Sequence, residues 1–448
     1  MPLIWAETLI WAELAWLGDA VERGVLIEID GDRFGAVTPG VERPPPDARR
    51  LAGVTVPGLA NVHSHAFHRA LRGRTHAGKG SFWTWREQMY AVARRLTPDS
   101  YLDLARAVYG EMALAGVTAV GEFHYLHHDT GGARYADPNA MSAALVQAAV
   151  EAGIRITLLD TCYLTGGVQR PLEGPQLRFG DGDAARWAER FQAFRPAGDH
   201  ARVGAALHSV RGVPADQIPE VVAATGDAPL HVHLSEQRAE NDGCLAAYGR
   251  TPTGVLADAG ALGPATTTVH STHLTAEDIG LLGGAGAGVC MCPTTERDLA
   301  DGIGPARALA DAGSPLSLGS DSHAMIDLFE EARAVELDER LRTEQRGHWT
   351  AAALLHAATA AGHAAIGWPH AGRIATGAPA DLVTVGLDSI RLAGTRADTA
   401  AASLVFAATA ADVRHVTVSG REVVRDGEHL LLGDVAARLS ATIGAVLP

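Results

Sequence analysis

Eight short apolar runs alternate with Ala-rich amphipathic stretches through the middle of the chain, and this alternation limits the possible fold strongly. Such alternation is typical of βαβ units that share one parallel sheet. Eight repeats over about 320 residues predict an α/β fold, a (β/α)8 TIM barrel with insertions. A doubly wound sheet is the alternative, but no Gly-x-Gly-x-x-Gly follows a first strand. The predicted strands are residues 54–62, 117–123, 155–161, 203–209, 229–234, 267–271, 288–291 and 315–319, and helices are expected at 100–115, 139–152 and 184–195.

Both ends of the chain have a different texture, with short alternating strands and turns. A Pro-rich segment at residues 44–46 separates the first of these ends from the barrel. We therefore predict a small composite β-sandwich domain built from residues 1–55 and 375–448, with the metal-dependent barrel at residues 56–374. The candidate strands are residues 25–30, 34–37, 381–385 and 413–420, with a hairpin at 418–424.

Charge and composition exclude several classes of partner. The net charge is −15 and the pI about 5.7, so neither nucleic acid nor an anionic membrane is an expected partner. The four cysteines lack Cys-x-x-Cys spacing, which fits a reducing compartment. The first residues lack the features of a signal peptide, and no run reaches ~18 apolar residues. We expect a cytoplasmic enzyme that acts on a small molecule, with a homodimer as the base-rate assembly.

Polar side chains stand at the carboxyl ends of most predicted strands, where a barrel of this kind carries its chemistry. His63 and His65 end the first strand and face the same side of it, because strand side chains alternate with a period of two. A purely structural barrel needs only solvent-compatible loops at these positions. The other strand ends are Glu122-Phe123-His124-Tyr125, His208-Ser209-Val210-Arg211, the segment from His231 to Glu236, His270 and Asp321.

Three imidazoles and one carboxylate are a ligand set that suits a divalent cation such as Zn²⁺, although iron or manganese can use the same donors. The candidate ligands are His63, His65, His233 and Asp321, and His231 competes with His233 because it is in phase with it. Such an ion lowers the pKa of a bound water from ~15.7 toward roughly 7. The only lysine is Lys79, which leaves no lysine on a later strand to bridge two metals as a carbamate.

Two further residues are candidates for proton transfer. Glu236 lies one short turn past His233, where its carboxyl group can face a water on the metal. His270 can share a proton or polarise the electrophile, whereas His273 is out of phase with it and is expected outside the pocket.

These residues, in this order, resemble the amidohydrolase superfamily, whose pattern is His-x-His on strand one, His on strands five and six, and Asp on strand eight. The segment His233-Leu234-Ser235-Glu236 is similar to the deaminase branch, in which one metal suffices and the Glu moves protons. The resemblance covers the whole chain, and it implies the barrel, the two-ended β-domain and a hydrolytic deamination.

Four segments resemble, more closely, the deiminases that act on N-formimidoyl-L-glutamate in histidine degradation. They are Asn61-Val-His-Ser-His-Ala-Phe, Phe82-Trp-Thr-Trp-Arg-Glu, Glu122-Phe-His-Tyr-Leu-His-His-Asp and His208-Ser-Val-Arg-Gly-Val. The resemblance implies hydrolysis of that substrate to N-formyl-L-glutamate and ammonia, with substrate contacts from Arg86, Tyr125, His208 and Arg211. His68 stands where that family commonly has Gln, so the contact made by this position differs.

The chemistry of the residues agrees with this resemblance. A dicarboxylate needs planar bidentate donors, which Arg supplies better than Lys. The expected catalytic set is Glu236, His270 and Asp321, with Glu236 passing a proton to the departing nitrogen. Trp83 and Trp85 fit either the packing of a loop or the wall of the pocket. Two alternatives stay open: a related deaminase acting on a neutral heterocycle such as guanine, cytosine or an adenosine derivative, and a catalytically inactive barrel used as a binding scaffold.

Overall fold

Two eight-stranded sheets organise the protein. The computed structural model describes residues 8–76 and 82–447, apart from the side chains of Phe82 and Trp83; Lys79 lies outside these residues. The strands are β1 (Thr8–Trp16), β2 (Val21–Asp30), β3 (Arg33–Thr38), β4 (Arg49–Pro57), β5 (Leu59–Ser64), β6 (Val117–His124), β7 (Arg155–Cys162), β8 (Ala201–Leu207), β9 (Leu230–Leu234), β10 (Thr266–His270), β11 (Gly288–Met291), β12 (Leu316–Leu318), β13 (Leu382–Val385), β14 (Val413–Val418), β15 (Arg421–Arg425) and β16 (Glu428–His429).

Strands β5 to β12 form a parallel sheet in sequence order, which confirms the predicted barrel. The sheet closes where β5 meets the segment after β12. The Asp321 amide donates to the His63 carbonyl at 2.9 Å, and the His65 amide donates to the Asp321 carbonyl at 3.2 Å. The closure therefore places three candidate site residues side by side at the carboxyl ends of the strands.

Helices connect the barrel strands and cover the sheet from outside. Their apolar faces pack on strands whose residues are almost all buried, as expected for a parallel sheet that is covered on one face and filled on the other. The α-helices are α1 (Phe82–Ala93), α2 (Pro98–Leu114), α3 (Ala140–Ala152), α4 (Ala184–Ala193), α5 (Ile218–Thr225), α6 (Arg238–Tyr248), α7 (Pro252–Asp258), α8 (Ala276–Ala285), α9 (Pro293–Asp298), α10 (Ala306–Ala312), α11 (Leu328–Thr343), α12 (Ala351–His356), α13 (Gly362–Ala365), α14 (Ala400–Phe406) and α15 (Val435–Val446).

The termini build the second sheet together, in the order β16-β15-β14-β13-β4-β1-β2-β3. The expected composite β-domain is therefore present, including the hairpin between β14 and β15. Its first strand, β1, and the terminal helix α15 were not predicted from the sequence. The exact boundaries at residues 55 and 375 stay predictions.

One predicted strand is wrong in its extent. Residues 54–62 are not a single barrel strand, because the chain leaves β4 of the terminal sheet at Pro57 and begins β5 of the barrel at Leu59. The break lies at Gly58, whose amide donates to the Asp381 carbonyl at 3.0 Å. A Cβ atom at Gly58 would lie 2.1 Å from the Thr118 hydroxyl oxygen, so the crossing needs glycine.

The other predicted barrel strands match within about two residues. The eighth is shorter than expected, with β12 covering only Leu316–Leu318. Within the described part of the chain, none of the helices combines the length and the apolar character needed to cross a membrane.

Candidate metal centre and active site

A cavity opens at the carboxyl ends of the barrel strands. All the predicted catalytic residues, substrate contacts and metal ligands line it except His63, which is fully buried. The lining residues are His65, His68, Trp85, Arg86, Met89, Tyr90, Tyr125, Tyr163, Phe179, His208, Arg211, His233, Glu236, His270, Leu299 and Asp321.

Donor atoms from three strands converge at the floor of this cavity. The Nε2 atoms of His63 and His233 lie 3.0 Å apart. The Asp321 Oδ1 atom lies 3.2 Å from His63 Nε2 and 3.4 Å from His65 Nε2. One ligand atom each from His63, His233, His270 and Asp321 lies within 4.8 Å of the others. Three of the four predicted ligands, His63, His233 and Asp321, therefore share one cluster with His270, and the fourth, His65, forms a second group with His68 and Asp321.

The strand-closure geometry explains how His63 reaches this point. Gly319 follows β12 and lies against β5, and a Cβ atom there would lie 2.8 Å from the His63 Cβ and 3.0 Å from its amide nitrogen. Glycine at this position lets the two backbones approach closely enough to form the end of the barrel.

Two of the imidazoles are oriented by bonds to backbone carbonyls. His65 Nδ1 lies 2.8 Å from the Phe123 carbonyl, and His233 Nδ1 lies 2.9 Å from the His208 carbonyl. Because a carbonyl oxygen only accepts, each Nδ1 carries the hydrogen and donates it. Each Nε2 atom therefore presents a lone pair to the cluster, which is the arrangement found for metal-ligating histidines.

The ionisation states agree with a metal site. Burial lowers the pKa of His65 to about 3, and burial also holds the pKa of His63 and His233 below the usual range. Burial alone would raise the pKa of Asp321, but the bond to His63 and the charges of neighbouring imidazoles hold it well below the usual range. Neutral imidazoles with one carboxylate form the donor set that suits Zn²⁺. The residues present therefore fit a divalent cation.

The alternative ligand His231 lies elsewhere. Its Nε2 atom donates to the Ala365 carbonyl at 2.9 Å, away from the cluster, and the side chain is fully buried. His273 does not line the cavity and is only partly buried. His231 and His233 are in phase on β9, but only His233, nearer the carboxyl end of the strand, lines the cavity.

Several residues of the site have backbone conformations that L-residues rarely adopt. The φ angles are +51° for Ser235, +67° for His270 and +42° for Asp321. Left-handed conformations of non-glycine residues cost of order 1–3 kcal/mol each and cluster at functional sites. The turns that aim Glu236, His270 and Asp321 into the cavity are therefore held by the surrounding structure.

Glu236 and His270 lie next to each other at the edge of the donor cluster. The His270 Nε2 atom lies 3.9 Å from Glu236 Oε1 and 3.7 Å from Asp321 Oδ2. Burial raises the pKa of Glu236. Burial alone would lower the pKa of His270, but the charges of Glu236, Glu296 and Asp321 and its bond to Glu296 raise it well above the usual range. Perturbed carboxyl and imidazole groups in one cleft are suited to proton transfer.

The same cavity carries the predicted substrate contacts. His68 Nε2 lies 2.8 Å from the Tyr125 hydroxyl oxygen, and His208 packs on Tyr163 with ring centroids 4.0 Å apart. Arg86, on α1, lies over the Tyr90 ring at 5.6 Å. Trp85 also lines the cavity, whereas the side chain of Trp83 lies outside the described part of the chain. Two cationic side chains, Arg86 and Arg211, thus share the cavity with the donor cluster.

Some residues of the site were missed from the sequence. Tyr163 directly follows β7. No candidate residue was predicted at the end of this strand, although the rule that was applied to the neighbouring strands would have selected Tyr163. Tyr90 and Phe179 come from connecting segments whose approach to the cavity has no local signal. Glu296, which lies 3.3 Å from His270 Nδ1, begins no recognisable motif.

Comparison with known proteins gives a consistent result. A model of the amidohydrolase family matches residues 54–423. The formimidoylglutamate deiminase of Pseudomonas aeruginosa is 38% identical over 435 residues, which cover 94% of this chain and 95% of that protein. The 8-oxoguanine deaminase of the same species is 33% identical, with 96% and 95% covered. The crystal structure of an amidohydrolase from Brucella melitensis superposes with a TM-score of 0.90 and 33% identity, covering 98% of this chain and 100% of that one.

Proposed function

The chain belongs to the amidohydrolase family, and from this premise we propose that it hydrolyses N-formimidoyl-L-glutamate to N-formyl-L-glutamate and ammonia. It is a hydrolase that acts on C–N bonds, and its curated relatives are deaminases. The observation that carries the choice of substrate is the pair Arg86 and Arg211 in the same cavity as Glu236, His270 and Asp321. A neutral substrate would not need two guanidinium groups, whereas a dicarboxylate does.

Binding begins, in this proposal, at the two remote carboxylates. Arg211 and Arg86 pair with them, and the hydroxyl of Tyr125 and the imidazoles of His208 and His68 supply further polar contacts. These contacts direct the formimidoyl carbon toward the donor cluster. Binding energy from such non-reacting groups raises the rate when it orients the reacting carbon.

The reaction needs an acidified water at the cluster. One divalent cation, for which we propose Zn²⁺ held by His63, His65, His233 and Asp321, would supply that acidification when bound. The chain's own residues then manage the protons. Asp321 accepts the proton that the water loses as its oxygen forms a bond to the formimidoyl carbon, and the protonated His270 ring polarises the electrophile through Nε2. Glu236 delivers a proton to the terminal nitrogen.

The tetrahedral carbon then carries two nitrogens and one oxygen. Its bond to the protonated terminal nitrogen breaks, the remaining proton on oxygen passes to the same nitrogen, and ammonia leaves as the formyl C=O bond forms. Glu236 is suited to this step because burial raises the pKa of its carboxyl group, which favours the protonated form before transfer.

A second candidate function has two observations in its favour. The 33% identity to an 8-oxoguanine deaminase, together with the aromatic rings of Tyr90, Tyr163 and Phe179 around the cavity, fits a flat heterocycle. In that case Arg86 and Arg211 would have no pair of carboxylates to bind. The two candidates therefore predict opposite consequences of removing an arginine.

The test is a comparison of ammonia release from N-formimidoyl-L-glutamate, 8-oxoguanine and guanine by the purified, metal-loaded enzyme. We expect kcat/KM for the formimidoyl substrate to exceed the values for both purines by at least about 1,000-fold, equivalent to about 4 kcal/mol. A preference for a purine would replace the proposal by its alternative. A role in histidine degradation, a cytoplasmic location and a homodimer remain further proposals, the last testable by light scattering.

A further inference from the structure

We infer that Glu296 is a positioning residue that fixes the His270 ring so that its Nε2 atom, and not Nδ1, faces the reacting centre. Neither Glu296 nor His270 is among the four predicted metal ligands. The inference rests on the proposed function for the chemistry that Nε2 performs, but the contacts that support it are independent of the substrate.

The first support is the contact between the two side chains. His270 Nδ1 lies 3.3 Å from Glu296 Oε1, and both residues are buried. Among the described residues this is the one hydrogen bond recorded for the His270 ring. An ionised carboxylate only accepts, so Nδ1 carries the hydrogen. The hydrogen bond thereby fixes Nδ1 toward Glu296 and leaves Nε2 on the opposite side of the ring.

The second support is the way in which Glu296 itself is held. Its Oε1 atom also accepts the backbone amide hydrogen of Cys292 at 2.9 Å, and its own amide donates to the Cys292 carbonyl at 3.0 Å. Glu296 is therefore anchored to the turn between β11 and α9. The oxygen atom that contacts His270 has a position set by the backbone, as a residue that orients another requires.

The third support is the direction of the other ring nitrogen. His270 Nε2 lies 3.7 Å from Asp321 Oδ2 and 3.9 Å from Glu236 Oε1, the two carboxylates assigned to the reaction. His270 and Ser271 have φ angles of +67° and +53°, so the backbone at this strand end is strained. The backbone conformation alone does not fix the orientation of the His270 ring. The hydrogen bond to Glu296 fixes it.

A neighbouring carboxylate offers a matched control. Glu331 is also fully buried, and its Oε2 accepts the amide hydrogen of Thr294 at 3.0 Å, at the start of the same helix α9. It has no recorded contact with His270 among the described residues. Its removal should therefore destabilise α9 to a similar degree without releasing the His270 ring.

Three substitutions of Glu296 separate the possible roles. Glu296→Gln keeps an oxygen at the position of Oε1 and removes the charge. Because Cys292 requires an acceptor at that position, the Gln oxygen continues to face both donors. Glu296→Asp keeps the charge but shortens the reach by one methylene, and Glu296→Met removes the acceptor. We measure kcat, KM, metal content and melting temperature of each variant beside Glu331→Met.

We expect Glu296→Gln to keep kcat within about tenfold of wild type, and Glu296→Asp and Glu296→Met to lower it by about 100-fold. KM should stay within about threefold, because the remote carboxylates bind elsewhere. Metal content should be unchanged. Glu331→Met should lose melting temperature but retain kcat per folded molecule. A Glu296→Met enzyme with wild-type kcat, a Glu296→Gln enzyme as poor as Glu296→Met, or an equal loss of kcat in Glu331→Met would overturn the inference.

Crystal structures of the Glu296→Gln and Glu296→Met variants decide the matter without any substrate. We expect the His270 ring to keep its orientation with Gln and to rotate away from Asp321 and Glu236 with Met; an unmoved ring in Glu296→Met refutes the inference. If Glu296→Met does not fold, the order of Glu296→Gln above Glu296→Asp in kcat still tests it. A wild-type enzyme inactive on N-formimidoyl-L-glutamate would count against the substrate proposal alone.

Discussion

His63 and His233 are 170 positions apart in the chain, yet their Nε2 atoms lie 3.0 Å from each other inside the protein. Both rings are nine-tenths buried or more. His233 turns a lone pair toward this contact, because its Nδ1 hydrogen is donated to the His208 carbonyl. This lone pair lies close to a second imidazole and to the carboxylate of Asp321, and a bound cation would stabilise such a cluster of donors. The barrel fold thus brings together side chains that suit a metal ion.

The pair His231 and His233 provides a test on a single strand. We expect His233→Gln to lose most of its metal and at least about 100-fold of its activity, because the substitution removes a ligand. His231→Gln, which alters a buried imidazole bonded to Ala365, should retain a full complement of metal. Elemental analysis by mass spectrometry measures both. Equal metal content in the two variants would show that His233 is not a ligand.

Glu236 is expected to act in proton transfer and not in metal binding. Glu236→Gln should therefore lower kcat by about 1,000-fold, within the range for a removed general acid or base, while metal content stays at the wild-type level. Steady-state kinetics combined with elemental analysis checks this. A variant that retains kcat would remove Glu236 from the reaction, and one that loses the metal would assign it a different role.

Arg211 distinguishes a dicarboxylate substrate from a neutral one. Arg211→Met should lower kcat/KM for N-formimidoyl-L-glutamate by about 100-fold, equivalent to about 2.7 kcal/mol. Arg211→Lys should recover only part of this loss, because an ammonium group does not reproduce bidentate pairing. Kinetics of both variants give the comparison. An unchanged kcat/KM in Arg211→Met would favour the heterocycle alternative.

The alternation of apolar runs and amphipathic stretches predicted the barrel, and the concentration of polar side chains at strand ends predicted the candidate site residues that line or adjoin the cavity. His63, His65, His233, Glu236, His270 and Asp321 all obey this strand-end rule. Tyr90, Phe179 and Glu296 do not, because they lie on α1, in the segment between β7 and α4, and on α9, and no local pattern shows which connecting segment folds over a barrel. The break at Gly58 was also missed, since two sheets share one continuous apolar run there.

Glu240 predicts a pH dependence of stability. It is buried near Arg211, and burial raises the pKa of its carboxyl group to about 7. Between pH 4.5, the ordinary pKa, and about 7 the folded protein therefore holds a proton that the unfolded chain releases. Its contribution to the free energy of unfolding is complete below that window and is lost as the pH rises through it, by up to about 3 kcal/mol.

The Glu240→Gln variant lacks this titration. Relative to wild type, its free energy of unfolding should increase by about 2–3 kcal/mol between about pH 5 and about pH 8. Urea denaturation of the two proteins at both pH values measures the difference. A difference that stays constant with pH would contradict the prediction.

Arg190 forms ion pairs with two buried carboxylates, those of Asp160 and Asp181. Its guanidinium donates to Asp160 at 2.6 and 2.9 Å and to Asp181 at 2.9 and 3.1 Å. Arg190→Met leaves both carboxylates without this partner, so it should lower the free energy of unfolding by about 3–5 kcal/mol. Arg250→Met breaks only an exposed pair with Asp258 and should cost less than about 1 kcal/mol. Denaturant titrations that gave similar losses would refute this.

The most direct test of the proposed reaction is its oxygen balance. The metal-loaded enzyme is incubated with N-formimidoyl-L-glutamate in ¹⁸O-enriched water, and the products are analysed by mass spectrometry and an ammonia assay. We predict N-formyl-L-glutamate with one ¹⁸O atom in its formyl group and one ammonia for each molecule formed. Release of glutamate with formamide, an unlabelled formyl group, or no turnover of this substrate would contradict the proposal.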